Sequence, residues 1–349
     1  MVPVAEIRAA ARRLHGVAVR TPLLPVPAFR PMNLLVKPES LQPTGAFKLR
    51  GAYNAITAGG DAARETGVVT HSSGNHGFAV AYAARLLGVR AAIVVPGNAP
   101  EVKIAAIEGT GAELVLVEPT LDARLEAAKQ IAEGRGYVPV PPFDHPAVIA
   151  GQGTIGLEIA EDFAAREART PDGAVPAEDG TTPAGEPANQ GPAAVLVPVS
   201  GGGLISGIAV AVKAAYPDTP IVGVEPELAA DARDSLRAGA RVRWPASDTA
   251  RTRADALRVE QVGQLPFAHM RELVSRIVTV TEDEITDSIR RLALDARLIA
   301  EPGGAVAVAA ALHRTPEELG APKTGPRPLV AIVSGGNIDP ALLTAVLGG

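Results

Sequence analysis

Of the six lysines in the chain, one falls in "LQPTGAFKLRGAYNAI", residues 41–56, where the residue pattern starts a helix. Thr44 is a plausible N-cap, Gly45 and Ala46 are small, and Phe47, Tyr53 and Ile56 supply apolar bulk. Lys48 would then lie near the first turn, where the positive end of the helix dipole disfavours an ammonium. Partial burial would push the same way. A neutral lysine amine is both a nucleophile and a base. On this stretch alone an ordinary surface lysine fits equally well, so other segments have to decide.

Three loops are rich in glycine and short polar residues. In "PVSGGGLISGIAVAVKAA" the run Gly201, Gly202, Gly203 separates a strand from a helix. Backbone N–H groups converging there, with a helix dipole behind them, suit a phosphate without any basic side chain. The unit also loosely imitates a dinucleotide fingerprint through Gly201, Gly203, Gly207 and a later acid, Glu225, although its spacing departs from G-x-G-x-x-G. In "THSSGNHGFAVAYAARLLG", residues Ser72, Ser73, Gly74, Asn75, His76 and Gly77 offer hydroxyl, amide and backbone donors to a carboxylate or ring hydroxyl. The third loop, "IVSGGNID", presents Ser334, Gly335, Gly336 and Asn337.

Such loops need a scaffold. Apolar runs bounded by Gly or Pro at 33–39, 67–73, 90–96, 112–118, 193–200, 220–226 and 328–336 read as buried strands. Helical patterns at 76–88, 101–109, 121–134, 204–216 and 283–299 lie between them. This alternation predicts α/β architecture with mostly parallel sheets covered on both faces, in two domains with a cleft between them. Loops at the carboxyl ends of parallel strands line the ligand crevice. Residues 165–192, rich in Pro, Gly, Ala, Thr and acid, read as a flexible surface loop inserted before the strand "AAVLVPVS".

Composition removes several function classes. A chain of 349 residues can bury one large or two medium cores, and a net charge of −5 gives no reason to expect nucleic acid or an anionic membrane as partner. The absence of cysteine excludes disulfides, thiolate metal sites and cysteine nucleophiles. The N-terminal "MVPVAEIRAAARRLHG" reads as a short amphipathic helix and not a signal peptide, and no apolar stretch is long enough to span a bilayer. A cytoplasmic enzyme is expected.

Taken in order, "TGAFKLRGA", "HSSGNHG", "SGGGL", "EPGGA" and "SGGN" resemble the motifs of pyridoxal-phosphate enzymes of the tryptophan-synthase-β fold (fold type II). Within that group the chain is most similar to the threonine/serine dehydratase and serine racemase family, from about residue 3 to about residue 340. The resemblance implies a large cofactor-binding domain of residues 1–66 and 146–349, a small domain of residues 67–145, and an active site between them. By motif matching, Lys48 is the family's Schiff-base lysine and general base, with Phe47 beside the ring. Gly201, Gly202, Gly203 and Leu204 hold the phosphate, next to Ser200. Asn75 meets the ring 3-hydroxyl, and Ser334 gives the pyridine nitrogen a neutral partner, which suits elimination. Ser72, Ser73, Asn75 and His76 take the substrate carboxylate, and Ser73 matches the acid/base opposite the lysine in racemases. Arg124 matches a basic residue near the substrate, with a solvated helix arginine as the alternative.

The resemblance also implies a divalent-cation site for Mg²⁺ or Ca²⁺ at Glu225, the Ala229 carbonyl and Asp231, where hard oxygen ligands suit such ions. Two surface acids would be the plainer reading. Two departures bear on substrate: Ala256 replaces a glycine in "TRADALRVEQVG", and Val259 stands where racemase-like members carry a serine. The implied activity is a dehydratase releasing ammonia from L-threonine or L-serine. A serine racemase or a 3-hydroxyaspartate dehydratase could use the same site, and an NAD-binding oxidoreductase or a catalytically silent binding protein is a remoter alternative. A homo-oligomer, dimer or tetramer, is implied. Because the sequence ends soon after "SGGNID", no C-terminal regulatory domain and no isoleucine feedback are expected.

Overall fold

A computed structural model of the chain describes residues 1–72, 74–99, 101–169, 191–322 and 327–348. Its strands are β1 Leu24–Pro25, β2 Leu34–Pro38, β3 Val68–His71, β4 Ala91–Pro96, β5 Glu113–Val117, β6 Val138–Pro139, β7 Ala194–Pro198, β8 Ile221–Pro226, β9 Arg276–Val280 and β10 Leu329–Val333. The helices begin with α1 Val4–Leu14, α2 Lys48–Ala58, α3 Gly60–Glu65, α4 Asn75–Leu87, α5 Glu101–Glu108, α6 Leu121–Arg135 and α7 Pro146–Arg169. They continue as α8 Gly203–Ala215, α9 Asp231–Ala238, α10 Ala246–Thr249, α11 Gln264–Leu273, α12 Glu282–Arg291, α13 Pro302–His313 and α14 Pro340–Gly348.

The strands form two sheets, β1-β2-β10-β7-β8-β9 and β5-β4-β3-β6. Every pairing is parallel except β1 with β2. The centre of the larger sheet explains its unbroken apolar runs. Val195 and Val197 of β7 pack with Ile155 of α7, Ile205 and Ile208 of α8 and Met270 of α11. Ala194 and Leu196 pack on the opposite face with Ile285 of α12 and Val306 and Ala310 of α13. Both sides of the strand are therefore core, and no polar alternation survives. The smaller sheet is built likewise: Val68, Ile93 and Val95 meet Val80 of α4, while Val69, Ala92 and Val94 meet Ile131 of α6. Leu49, Ala52 and Ile56 of α2 join the smaller sheet's core, so the helix that starts at Lys48 is seated there.

Because β10 lies beside β7 in parallel, the loops leaving their carboxyl ends emerge on one edge. These are the loops carrying Ser334 and Gly201–Gly203. Helices α7 and α8 approach closely beneath them. A Cβ on Gly207 would lie 2.3 Å from the Ile149 carbonyl oxygen and 2.5 Å from the Gly153 nitrogen. Gly207 is thus a helix-packing residue, which gives the dinucleotide-like spacing another cause.

Some expectations change. Thr44 does not cap α2, since its hydroxyl bonds to the Ala46 carbonyl at 3.3 Å and Phe47 is the N-cap residue. The chain before α2 is instead tied to the β10 loop by Phe47 N–H to the Ser334 carbonyl and Gly336 N–H to the Gly45 carbonyl. Residues 165–169 continue α7, as their Ala, Glu and Arg content favours, while residues 170–190 of the expected insertion lie outside the described residues. The helix expected over 283–299 stops being α-helical at Arg291, passes through a π-turn at Leu292–Ala296 and ends at Arg297, whose φ is 58°. The two-residue strands β1 and β6 are too short to be anticipated, and β9, although four of its five residues are β-branched, is a further strand beyond those expected. Among the described residues no helix is long and apolar enough to cross a membrane.

A buried charge cluster fixes α2. Arg50, 1% exposed, pairs with Glu39 at 2.8 Å and with Glu158 of α7 at 2.6 Å, and Lys37 of β2 pairs with Glu158 at 2.6 Å. Burial pushes the Glu39 carboxyl up, but Arg50 and Lys37 outweigh it and hold it below its usual value. Two cations meet two anions, and Thr21 and Thr154 add hydrogen bonds, so no charge is stranded. Replacing Arg50 with Met leaves buried Glu39 without its ion-pair partner and Glu158 with Lys37 alone, and is expected to cost about 3–5 kcal/mol in urea unfolding. Arg135→Met, at the exposed Arg135–Glu113 pair, is the control and leaves the midpoint in place.

Candidate active site

Lys48 is the first residue of α2 and faces an open cavity of about 580 Å³. Its amine donates to the Pro142 carbonyl at 2.8 Å and lies 5.2 Å from the centre of the Phe47 ring. Burial pushes the amine down to about 8, and Glu301 opposes that only in part. About a tenth of the amine is therefore unprotonated at pH 7, far more than for an ordinary lysine, as a nucleophilic amine requires.

The turn after β7 forms a backbone cup. Gly202 has φ 87°, in the left-handed region that a side chain disfavours, and is the N-cap of α8. A Cβ on Gly201 would come within 2.2 Å of the Phe143 ring, and one on Gly202 within 2.7 Å of Pro266. Gly203 and Leu204 open α8, so the free N–H groups of that helix end point into the cup.

Ser72, Gly74, Asn75 and His76 also line the cavity, whereas Ser73 lies outside the described residues. The turn folds tightly: a Cβ on Gly77 would lie 1.8 Å from the Ser72 carbonyl oxygen. Asn75 donates to Glu301 at 2.6 Å and accepts from Asn337 at 2.8 Å. The His76 imidazole turns inward, with Nε2 at 2.9 Å from the Val140 carbonyl and Nδ1 buried without a partner. Burial, with a contribution from Lys48, pushes this histidine down to about 3, so it is neutral. What His76 offers a carboxylate is its N–H at the start of α4, not a positive ring.

Ser334 follows β10, is buried, and lies 3.5 Å from the Gly303 carbonyl. Glu301, the N-cap residue of α13, lines the same wall and is 4% exposed. Arg124 of α6 lines the opposite side and bonds through Nε to the Thr120 carbonyl at 3.2 Å. Burial lowers it, Glu260 opposes that, and among the described residues it forms no ion pair. Ala256 and Val259 also face the cavity. Sequence reasoning missed the sites of Pro142 and Phe143, and left Asn337, in the third polar loop, and Glu301 without a role. Those two carried a signal, Asn337 in "SGGN" and Glu301 as the acid of "EPGGA".

Glu225, Ala229 and Asp231 are absent from the cavity lining. Glu225, next to last in β8, is fully buried and accepts from the N–H groups of Ala232 and Arg233 at 3.1 and 2.8 Å. It therefore caps α9 and cannot serve a ribose. Both Asp231 oxygens are buried without a hydrogen-bond partner. Burial and the neighbouring Asp231 push Glu225 well above its usual value, and burial pushes Asp231 up to about 7. Among the described residues no three His, Asp or Glu side chains cluster as a metal site.

Residues 16–335 match the model of the "Pyridoxal-phosphate dependent enzyme" family. The chain is 37% identical to an L-threonine ammonia-lyase of Thermotoga maritima, over 99% of this chain and 78% of that one. It is 34% identical to an L-threo-3-hydroxyaspartate ammonia-lyase of Saccharomyces cerevisiae, over 99% and 96%. The structure of maize serine racemase superimposes with a TM-score of 0.84 at 33% identity, covering 99% and 97%.

Reaction with an aldehyde under borohydride reduction reads the free amine. In protein freed of any bound cofactor, labelling of Lys48, referenced to exposed Lys129, is expected to rise from acid to alkaline pH with a midpoint near 8, because the deprotonated form is the one that reacts. A midpoint at the ordinary lysine value of 10.5 would contradict the burial argument.

Proposed function

Since the chain belongs to the pyridoxal-phosphate-dependent enzyme family, we propose that it is an ammonia-lyase converting L-threonine and L-serine to a 2-oxo acid and ammonia. The observation that carries this reading is the lowered amine of Lys48, facing a cavity whose far wall is a backbone cup for an anion. The cup fits the cofactor's phosphate because side chains at Gly201 and Gly202 would collide with Phe143 and Pro266. Bound pyridoxal 5′-phosphate would supply the electron sink that makes the substrate Cα proton acidic.

The residues then divide the work. Lys48 would hold the cofactor's carbonyl carbon, yield it to the substrate amine, and take the Cα proton at Nζ. Phe47 would flank the ring, Gly201–Gly203 and Leu204 would hold the phosphate, Asn75 the 3-hydroxyl, and Ser334 the ring nitrogen. Glu301 is held by Asn75, which orients the amide that would face the ring. Ser72, Asn75 and the N–H of His76 would take the substrate carboxylate, with Ser73 as the acid/base on the other face. The distribution of strands supports a large domain of residues 1–66 and 146–349 and a small domain of residues 67–145.

One observation favours a second substrate. Arg124 lines the cavity without an ion pair among the described residues, a setting suited to the extra carboxylate of 3-hydroxyaspartate. For the cation, the partnerless Asp231 oxygens beside a buried Glu225 are what Mg²⁺ or Ca²⁺ would satisfy, with the Ala229 carbonyl as a third ligand.

Release of 2-oxo acid from L-threonine, L-serine, D-serine and threo-3-hydroxyaspartate tests the reading. Turnover of L-threonine or L-serine is expected, falling by about 10³-fold or more in Lys48→Ala. Arg124→Ala should raise KM for the hydroxyaspartate alone. Racemised serine without 2-oxo acid would replace the lyase by a racemase. Mg²⁺ is expected to raise the thermal midpoint of chelator-treated protein, and Asp231→Asn to remove that response; no response in the unaltered protein sinks the cation site.

A further inference from the structure

The segment between β6 and α7 is not a passive connection. Pro142 holds the Lys48 amine through its carbonyl. Phe143 packs on the cup: its Cα and Cβ would both lie 3.1 Å from a Cβ on Gly203, and its ring fills the space beside Gly201. Asp144, which does not line the cavity, reaches across 120 residues of sequence to the start of α11. One carboxylate oxygen accepts the Gln264 N–H at 2.8 Å and the other the Leu265 N–H at 2.9 Å. Gly263, the N-cap residue, has no side chain to do this.

Helix α11 is the back wall of the cup. The Gly263 N–H bonds to the Gly201 carbonyl at 3.1 Å. Pro266 and Met270 sit 2.7 and 3.0 Å from where a Cβ on Gly202 would be, and the Ser206 hydroxyl spans the Gly202 carbonyl at 2.7 Å and the Pro266 carbonyl at 3.4 Å. The start of α11 therefore bears on both sides of the left-handed turn that aims the cup's N–H groups.

We infer that Asp144 is a positioning residue for the phosphate cup: by clamping the N-terminus of α11 it sets the geometry of the Gly201–Gly203 turn, without touching the anion. The inference rests on the proposed reading of that turn as a phosphate site. Two charge-assisted bonds to a helix N-terminus are strong and directional, so the clamp is stiff. The sign of the effect separates positioning from simple charge. A carboxylate near an anion site repels the anion, so charge alone makes removal of Asp144 tighten phosphate binding. Loss of a positioning clamp loosens it.

The test compares pyridoxal 5′-phosphate with pyridoxal, which lacks the phosphate, as ligands of the full chain freed of cofactor, with each Kd taken from absorbance titration. The unaltered protein prefers the phosphate ester. In Asp144→Ala that preference shrinks by roughly tenfold, through weaker binding of the ester while pyridoxal binds as before. Asp144→Asn, which keeps one acceptor oxygen, recovers part of the preference. Gln264→Pro removes one donor from the other side at a helix position where proline is tolerated and the side chain is exposed, and it also reduces the preference. This second variant decides the matter if Asp144→Ala does not fold. A preference that stays the same or grows in the variants overturns the positioning role alone. No preference in the unaltered protein overturns the phosphate reading of the cup, and this inference with it. General damage to the fold weakens both ligands together, leaves their ratio in place, and so also counts against the role.

Discussion

An amine acts well as a nucleophile near neutral pH only if its surroundings weaken its hold on the proton, and the site is arranged around that weakening at Lys48. The same helix makes the opposite choice two residues later. Arg50 is more deeply buried than Lys48, yet it stays charged because Glu39 and Glu158 meet it at 2.8 and 2.6 Å. Lys48 has a carbonyl as its hydrogen-bond partner, and the acid that acts on it, Glu301, is already held by Asn75. Residues two apart on a helix face different ways, so one side chain enters an ion cluster and the other a cavity. The cluster ties α2 to β2 and α7, and the apolar face of α2 lies in the smaller sheet's core. Both fix where the amine stands.

The opposite wall treats negative charge with similar economy. The cup residues Gly201–Gly203 and Leu204 carry no charged side chain, so an anion there is met by their N–H groups and the end of α8. Such a cup depends on shape, since a backbone turn has no long side chain with which to adjust. Phe143 and α11 supply that shape from two distant parts of the chain. Asn75 joins the walls: it starts α4 beside the smaller sheet, and its amide meets Glu301 and Asn337, which follow from the larger one. The cavity is thus held across the two sheets by polar contacts, while each sheet keeps its own apolar core.

Much of this was legible in the sequence. Strands buried on both faces announce themselves as unbroken apolar runs, and the seven runs lie within three residues of β2, β3, β4, β7, β8, β10 and the more exposed edge strand β5. Glycines and short polar residues just after those strands marked the loops that line the cavity, and Lys48 was conspicuous because lysines are few. Where the sequence misled, the cause was a partner it does not show. Thr44 has the chemistry of a cap, but the chain around it is bound to the β10 loop. His76 has the chemistry of an anion ligand, but its ring is taken by the Val140 carbonyl. Glu225 only loosely imitated a ribose acid, and it accepts from the first N–H groups of α9 within the core.

What the residues settled alone is therefore local: which segments pair, where turns fall, and which groups could react. Tertiary structure decided the protonation of Lys48, the neutrality of His76, the joining of Asn75 to Glu301 and the reach of Asp144 to α11. Those outcomes depend on desolvation and on contacts with backbone carbonyl and N–H groups. Every residue carries the same backbone carbonyl and all but proline the same N–H, so residue type hardly signals them, and burial exists only once the chain has closed on itself.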